Sequence, residues 1–160
     1  MSSGYRGYIV SGPVRGVSFP QSVQHLVVRD YARRSGLTYH HHLTEYAMPG
    51  SSMMLASLLD ELDDLEGIIL FSLYTLPRSR ERRRRVYDRI LGAGKAMHAA
   101  LEGLTVREAG DTAAWDDLID IAAVLPATPF GGRYEKNGAP FGPNGDAQIA
   151  AFTAGPSLRS

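Results

Sequence analysis

The chain has no cysteine, so disulfides, thiolate zinc sites and a cysteine nucleophile are excluded. It has no charge surplus either, because 17 basic and 17 acidic residues give a formal net charge of +0. Strong sequence-independent affinity for nucleic acid needs a basic excess, so the balance argues against a nucleic-acid partner. No apolar run approaches the roughly 20 residues of a membrane-spanning helix, and the opening Met1-Ser2-Ser3-Gly4-Tyr5-Arg6 has no apolar signal region. The expectation is a cytoplasmic protein without a membrane partner. No internal repeat is visible. What is present suits a soluble globular protein: 44% hydrophobic and 21% charged residues, in a chain of 160 long enough for one substantial core.

Apolar periodicity divides the chain into alternating strands and helices. Gly7-Tyr8-Ile9-Val10-Ser11 is a short β-rich run stopped by Gly12-Pro13. Pro20 opens a helix with Val23, Leu26, Val27 and Tyr31 on its apolar face, and Gly36 ends it. Residues 37–43 read as a second strand and residues 51–62 as a second helix. Gly67-Ile68-Ile69-Leu70-Phe71-Ser72 is near-continuously apolar, as a strand covered on both faces of a parallel sheet must be. A helix over 80–91, a fourth strand over 95–101 and a last helix over 111–125 complete the order, with Trp115, Leu118, Ile119 and Ala122 inward. The alternation predicts an α/β fold, a three-layer parallel sheet with helices on both sides, in one domain spanning 1–125. Residues 126–160 are rich in glycine and proline and read as an irregular C-terminal extension.

Leu73-Tyr74-Thr75-Leu76-Pro77-Arg78-Ser79 resembles the Leu-Asp-Arg-Leu-x-Arg-Ser string of serine resolvases and invertases, with Tyr74 in place of the acid and Thr75 in place of the first arginine. Residues 5–104 follow the order of that catalytic domain, which implies a resolvase-like, flavodoxin-like fold with Ser11 at the nucleophile position and Arg78 at a phosphate-binding one. Ile9 and Val10 replace the recombinase arginine before the serine. Phosphodiester transesterification needs several cations around the pentacoordinate oxygens, and one arginine is too few, so recombination is not the expected activity. A second resemblance covers more motifs. Gly7-Tyr8-Ile9-Val10-Ser11, Pro20-Gln21-Ser22-Val23-Gln24, Arg29-Asp30-Tyr31, Thr44-Glu45-Tyr46-Ala47-Met48, Gly67-Ile68-Ile69-Leu70-Phe71-Ser72-Leu73, Leu76-Pro77, His98 and Ala100-Leu101-Glu102 are similar to the sporadic carbohydrate cluster family, small proteins of bacterial polysaccharide and sugar-containing metabolite gene clusters. That resemblance implies work on a sugar or nucleotide-type small molecule and reaches to about residue 107.

In an open parallel sheet, ligands bind beyond the carboxyl ends of the strands. The residues expected there are Ser11, Glu45, Tyr46, Ser72, Arg78 and Glu102. Glu45 reads as a general base, with Tyr46 and Ser11 as proton or oxyanion donors and His98 as a further acid/base candidate. Gln21, Gln24 and Arg29 on the first helix, with Ser72, Arg78 and Glu102, form the substrate-binding set. The first helix's N-terminus adds free N–H groups toward an anion. His40-His41-His42 invites a metal reading, but strand alternation sends His40 and His42 to one face and His41 to the other. Neither metal nor cofactor is expected. The arginine run from Arg78 to Arg85 reads as a solvated helix face, and its complement, Asp60 to Glu66, would let two copies pair as a homo-oligomer. Gly131-Gly132-Arg133-Tyr134-Glu135 and Asn144-Gly145-Asp146 read as ordinary turns or as loops closing over a ligand.

Two functions fit this reading. One is a small enzyme of carbohydrate or sugar-containing natural-product biosynthesis, using acid/base chemistry of isomerase, epimerase or lyase type on a sugar phosphate, nucleotide sugar or nucleoside. The alternative is a non-catalytic ligand-binding or enzyme-docking module on the same scaffold.

Overall fold

The computed structural model describes residues 4–46, 48 and 51–125, all within the unit Met1–Ala127; the C-terminal extension and its two turn motifs lie outside the described residues. The core elements are β1 (Tyr5–Val10), α1 (Gln21–Arg34), β2 (Tyr39–Glu45), α2 (Met53–Asp60), β3 (Gly67–Leu70), α3 (Arg80–Gly92), β4 (Ala96–Ala99), β5 (Leu104–Val106) and α4 (Asp111–Val124). The five strands form one sheet in the order β2-β1-β3-β4-β5. The first four run parallel and β5 pairs antiparallel to β4. The fold is therefore α/β with a mostly parallel sheet, and among the described residues no helix is long and apolar enough to cross a membrane.

The sequence reading runs residues 95–101 together as one strand and misses β5. The chain instead turns back within them: the Gly103 N–H bonds the Ala99 carbonyl at 2.9 Å and Gly103 sits at φ +68°, which a glycine adopts without a Cβ clash. A three-residue strand carries too little periodicity to stand out.

Helices divide unequally between the faces. Tyr8, Leu70, Met97 and Val106 point to the face covered by α2, α3 and α4, where Leu55, Leu58, Val86, Ile90, Trp115 and Ile119 complete one core. Tyr5, Ile9, Ile69 and Phe71 point to the other, where Val28 and Ala32 of α1 meet them. β3, central and flanked by parallel partners, is buried at all four positions. A side chain on Gly67 would meet the Ala96 carbonyl oxygen at 2.2 Å and the Tyr5 ring at 2.6 Å. Its absence lets Tyr5 lie across β3 and set its ring edge-on to His98, 5.3 Å between centroids.

Further expectations need correction: Val23 and Leu26 of α1 and Leu118 of α4, read as facing inward, are exposed. In β2 the pairing slips between Tyr5↔Tyr39 and Gly7↔His42, so three steps on β2 match two on β1. This bulge brings Tyr39 and His42 to the α1 face together, and simple alternation through the three histidines fails there. In the arginine run, Arg83 is not solvated; its side chain is 0% exposed. Its Nε and Nη2 donate to Asp116 and Asp120 of α4, each at 2.7 Å, and its Nη1 donates to the Arg78 carbonyl at 2.7 Å. Other charges also find partners inside the chain: Arg80 pairs with Asp120, Arg89 with Asp63, and Arg6 with Glu61.

Candidate active site at the carboxyl edge

Strand order reverses between β1 and β3: β1 connects through α1 to β2 on one side, and the return through α2 reaches β3 on the other. In open sheets of this kind the loops leaving two such strands diverge over opposite faces, and a ligand crevice forms at the carboxyl edge. Here they touch across it. Val14 and Val17 exchange backbone hydrogen bonds of 2.9 and 3.1 Å around a tight turn of Arg15 (φ 51°) and Gly16 (φ 78°). That turn delivers the Arg15 guanidinium over the Tyr74 ring, 4.9 Å from its centroid. Beneath it, Phe19 meets Phe71 edge-on at 5.2 Å. Sequence reasoning missed Arg15. Its one visible signal is the Arg-Gly pair between two valines, the pattern of a two-residue hairpin turn.

Ser11, just past β1, is exposed, and its N–H extends the sheet by donating to the Glu45 carbonyl at 2.9 Å. Glu45, the last residue of β2, is buried and its carboxylate is densely solvated by protein. Oε1 accepts from the Ser51 hydroxyl at 2.6 Å; Oε2 accepts from the Met54 N–H at 2.8 Å, the Leu55 N–H at 3.3 Å and the Tyr8 hydroxyl at 3.2 Å. It thereby satisfies the free N–H groups at the start of α2, a helix whose N-cap Ser52 makes no side-chain bond. Burial next to this carboxylate pushes the Tyr8 hydroxyl well above the usual phenol range. The neighbouring Tyr46 is exposed.

Glu102 does parallel work after β4. Its Oε1 accepts from the buried Ser72 hydroxyl at 2.6 Å and its Oε2 from the Leu73 N–H at 3.1 Å, which ties the β3 exit loop down. Ser72 Oγ also accepts from the Tyr74 N–H, and the Thr75 hydroxyl donates to the Ser72 carbonyl at 2.7 Å. The Tyr74 N–H and the Thr75 hydroxyl thus close a local turn at the β3 exit. Arg78 is exposed at the end of this loop.

On α1, Gln24 is fully buried: its Nε2 donates to the Val10 and Phe19 carbonyls at 2.7 and 2.9 Å, and its Oε1 accepts from the Val10 N–H at 3.0 Å. It locks β1 to the loop that carries Arg15. Gln21 is exposed on the first turn of α1, where no side chain caps the helix. Arg29 is exposed two turns further along.

His98 stands apart from this edge. It is buried on the α1 face, where its Nδ1 meets the Tyr31 hydroxyl at 2.9 Å and the Thr105 hydroxyl at 3.0 Å, while its Nε2 has no hydrogen-bond partner. Burial, helped by the nearby Arg107 charge, pulls its pKa down to about 4. Among the described residues no group of three His, Asp or Glu is arranged to hold a metal ion. Two surface hollows stand out among those residues, of about 270 Å³ beside Arg29 and Tyr39 and about 420 Å³ between α3 and α4. Ser11, Glu45 and Arg78 border neither of them.

The carboxyl edge therefore brings together Ser11, Arg15, Glu45, Ser72, Tyr74 and Glu102, while His98 lies elsewhere. Comparison with family models, with curated proteins and with solved structures finds no match for this chain.

Proposed function

We propose that the chain is a small cytoplasmic enzyme of bacterial carbohydrate or sugar-containing natural-product biosynthesis. It would hold a sugar phosphate, nucleotide sugar or nucleoside at the β1/β3 switch point and move a proton on it without a cofactor. The finer fold we assign is flavodoxin-like and resolvase-like, because the strand order 2-1-3-4-5 is the doubly wound one with its last strand reversed.

The observation that carries the reading is the Arg15–Tyr74 contact across the crevice. It offers a cation and an aromatic face, suited to an anionic group and to a sugar or base ring, where such sheets take ligands. Ser11 and Tyr46, both exposed, are the proton or oxyanion donors in this reading. Arg78 adds a second cation. Gln24 and Glu45 position the loops beneath them. The base is less well supplied, since both edge carboxylates already accept hydrogen bonds from loop donors. That favours the second reading, a ligand-binding or docking module on the same edge.

NMR detection of product from sugar phosphates, nucleotide sugars and nucleosides separates the two. Turnover that falls more than about tenfold in both Ser11→Ala and Tyr46→Phe supports the enzyme. Binding without turnover supports the module, and neither binding nor turnover sinks the site.

A further inference from the structure

Where α1 lies over the edge strand β2, two imidazoles and an arginine gather around a tyrosine ring. His25 of α1 and His42 of β2 stack with ring centroids 4.3 Å apart. Tyr39, brought to the same face by the β2 bulge, sets its ring 6.0 Å from His25 and its hydroxyl 3.5 Å from His42 Nδ1. Arg29 follows His25 by one turn, and its guanidinium makes no hydrogen bond or ion pair among the described residues. From β1, Gly7 lies close to the His42 Cβ and the Tyr39 ring, and Tyr5, the register partner of Tyr39, shares this face. Arg29 acts on the His25 ring, and His25 and His41 act on the His42 ring; no carboxylate is among these neighbours. Burial above all, with these basic neighbours adding to it, holds both imidazoles below the usual histidine range. The nearest acid on α1, Asp30, is committed to Arg33 and Arg34 at 2.7 and 2.6 Å. A hollow of about 270 Å³, lined by Arg29 and Tyr39 together with Asp30 and Arg33, opens on the Arg29 and Tyr39 side of this group and borders neither imidazole.

We propose that His25, Arg29 and His42 form a proton-linked binding site for a tetrahedral dianion, such as free phosphate or the phosphate group of a phosphorylated metabolite. Arg29 supplies a permanent charge and a planar set of donors. Each imidazole becomes a donor when it takes a proton, and the Tyr39 hydroxyl adds a neutral one. An anion seated among them favours the protonated imidazoles, so binding takes up protons and tightens as pH falls through the imidazole range. This site is separate from the carboxyl edge and stands whether or not that edge is catalytic.

Sulfate is the cleaner probe, because it stays a dianion where phosphate itself titrates. The test follows the His25 and His42 ring signals by NMR through a pH titration, with sodium sulfate and with sodium chloride at matched ionic strength. Sulfate should raise both imidazole pKa values by about one unit and bind at least roughly tenfold tighter near pH 6 than near pH 8. Arg29→Ala, an exposed change that leaves the fold intact, should remove both effects. Inorganic phosphate and a sugar phosphate form parallel arms: equal binding assigns recognition to the phosphate group alone, and tighter sugar-phosphate binding adds the hollow to it. Ring titrations that move equally in sulfate and chloride, or that respond unchanged in Arg29→Ala, overturn the site.

Discussion

Glu45 decides between catalysis and architecture at the carboxyl edge. Replacing it with alanine removes an acceptor from four donors, two of them at short range: the Ser51 hydroxyl at 2.6 Å and the Met54 N–H at 2.8 Å. Hydrogen bonds to a charged group contribute about 1.5–3 kcal/mol each, so the two short ones alone set a loss of about 3–6 kcal/mol. The Tyr8 hydroxyl, buried among apolar side chains, would also be stranded. Against a typical domain stability of about 5–15 kcal/mol, Glu45→Ala should be severely destabilised. Glu45→Gln is milder. Its amide oxygen can still serve the α2 N–H groups and Tyr8, and its amide nitrogen can donate to a rotated Ser51 hydroxyl, so a loss of about 1–2 kcal/mol follows. Urea unfolding at neutral pH reads both, with hydrogen exchange at Met54 and Leu55 as the local check. A loss under about 1 kcal/mol in Glu45→Ala would refute the anchoring role. Full stability with abolished turnover in Glu45→Gln would return the residue to catalysis.

Arg83→Ala should cost about 3–5 kcal/mol in the same assay, because it leaves the half-buried Asp116 with the Arg80 guanidinium at 3.9 Å as its remaining cation and the Arg78 carbonyl without its donor; a loss below about 1 kcal/mol would show that α3 and α4 do not need the clamp. His98, ordinarily near 6.5 and held at about 4 in the fold, binds more protons when unfolded. Stability should therefore fall as pH drops from about 6.5 to about 4, by on the order of 3 kcal/mol, and His98→Gln should flatten that limb; an unchanged acid limb in the variant would contradict the assignment. Gly67→Ala should lose at least about 3 kcal/mol and soluble yield, since a methyl group there meets the Ala96 carbonyl at 2.2 Å; wild-type thermal stability would show that β3 and Tyr5 can shift.

Long elements were legible because their periodicity is long. The apolar run in β3 and the glycine stops after α1 and α3 are properties of the sequence itself, and they match Gly67–Leu70, Gln21–Arg34 and Arg80–Gly92 closely. What stayed hidden depends on contacts between distant residues. Arg83 looks like its neighbours in the arginine run, and only the arrival of Asp116 and Asp120 from α4 distinguishes it. Gln24 is similar: nothing local says that an amide near a helix start will be swallowed by the end of β1 and satisfied on both its atoms. Sequence order did bring Ser11, Glu45, Ser72 and Glu102 to one edge, because strand ends in a parallel sheet share a side whatever their side chains do. It could not tell a carboxylate aimed at solvent from one turned inward to hold a helix.

The Arg83 clamp reaches further than α3 and α4. By grasping the Pro77 and Arg78 carbonyls at 3.3 and 2.7 Å, it pins the peptide from which the exposed Arg78 side chain projects. A cation on such a fixed mount gives up only side-chain freedom when it meets an anion, because its backbone is already ordered. Helix α4, well downstream of Arg78 in the chain, would thus influence affinity there through preorganisation alone.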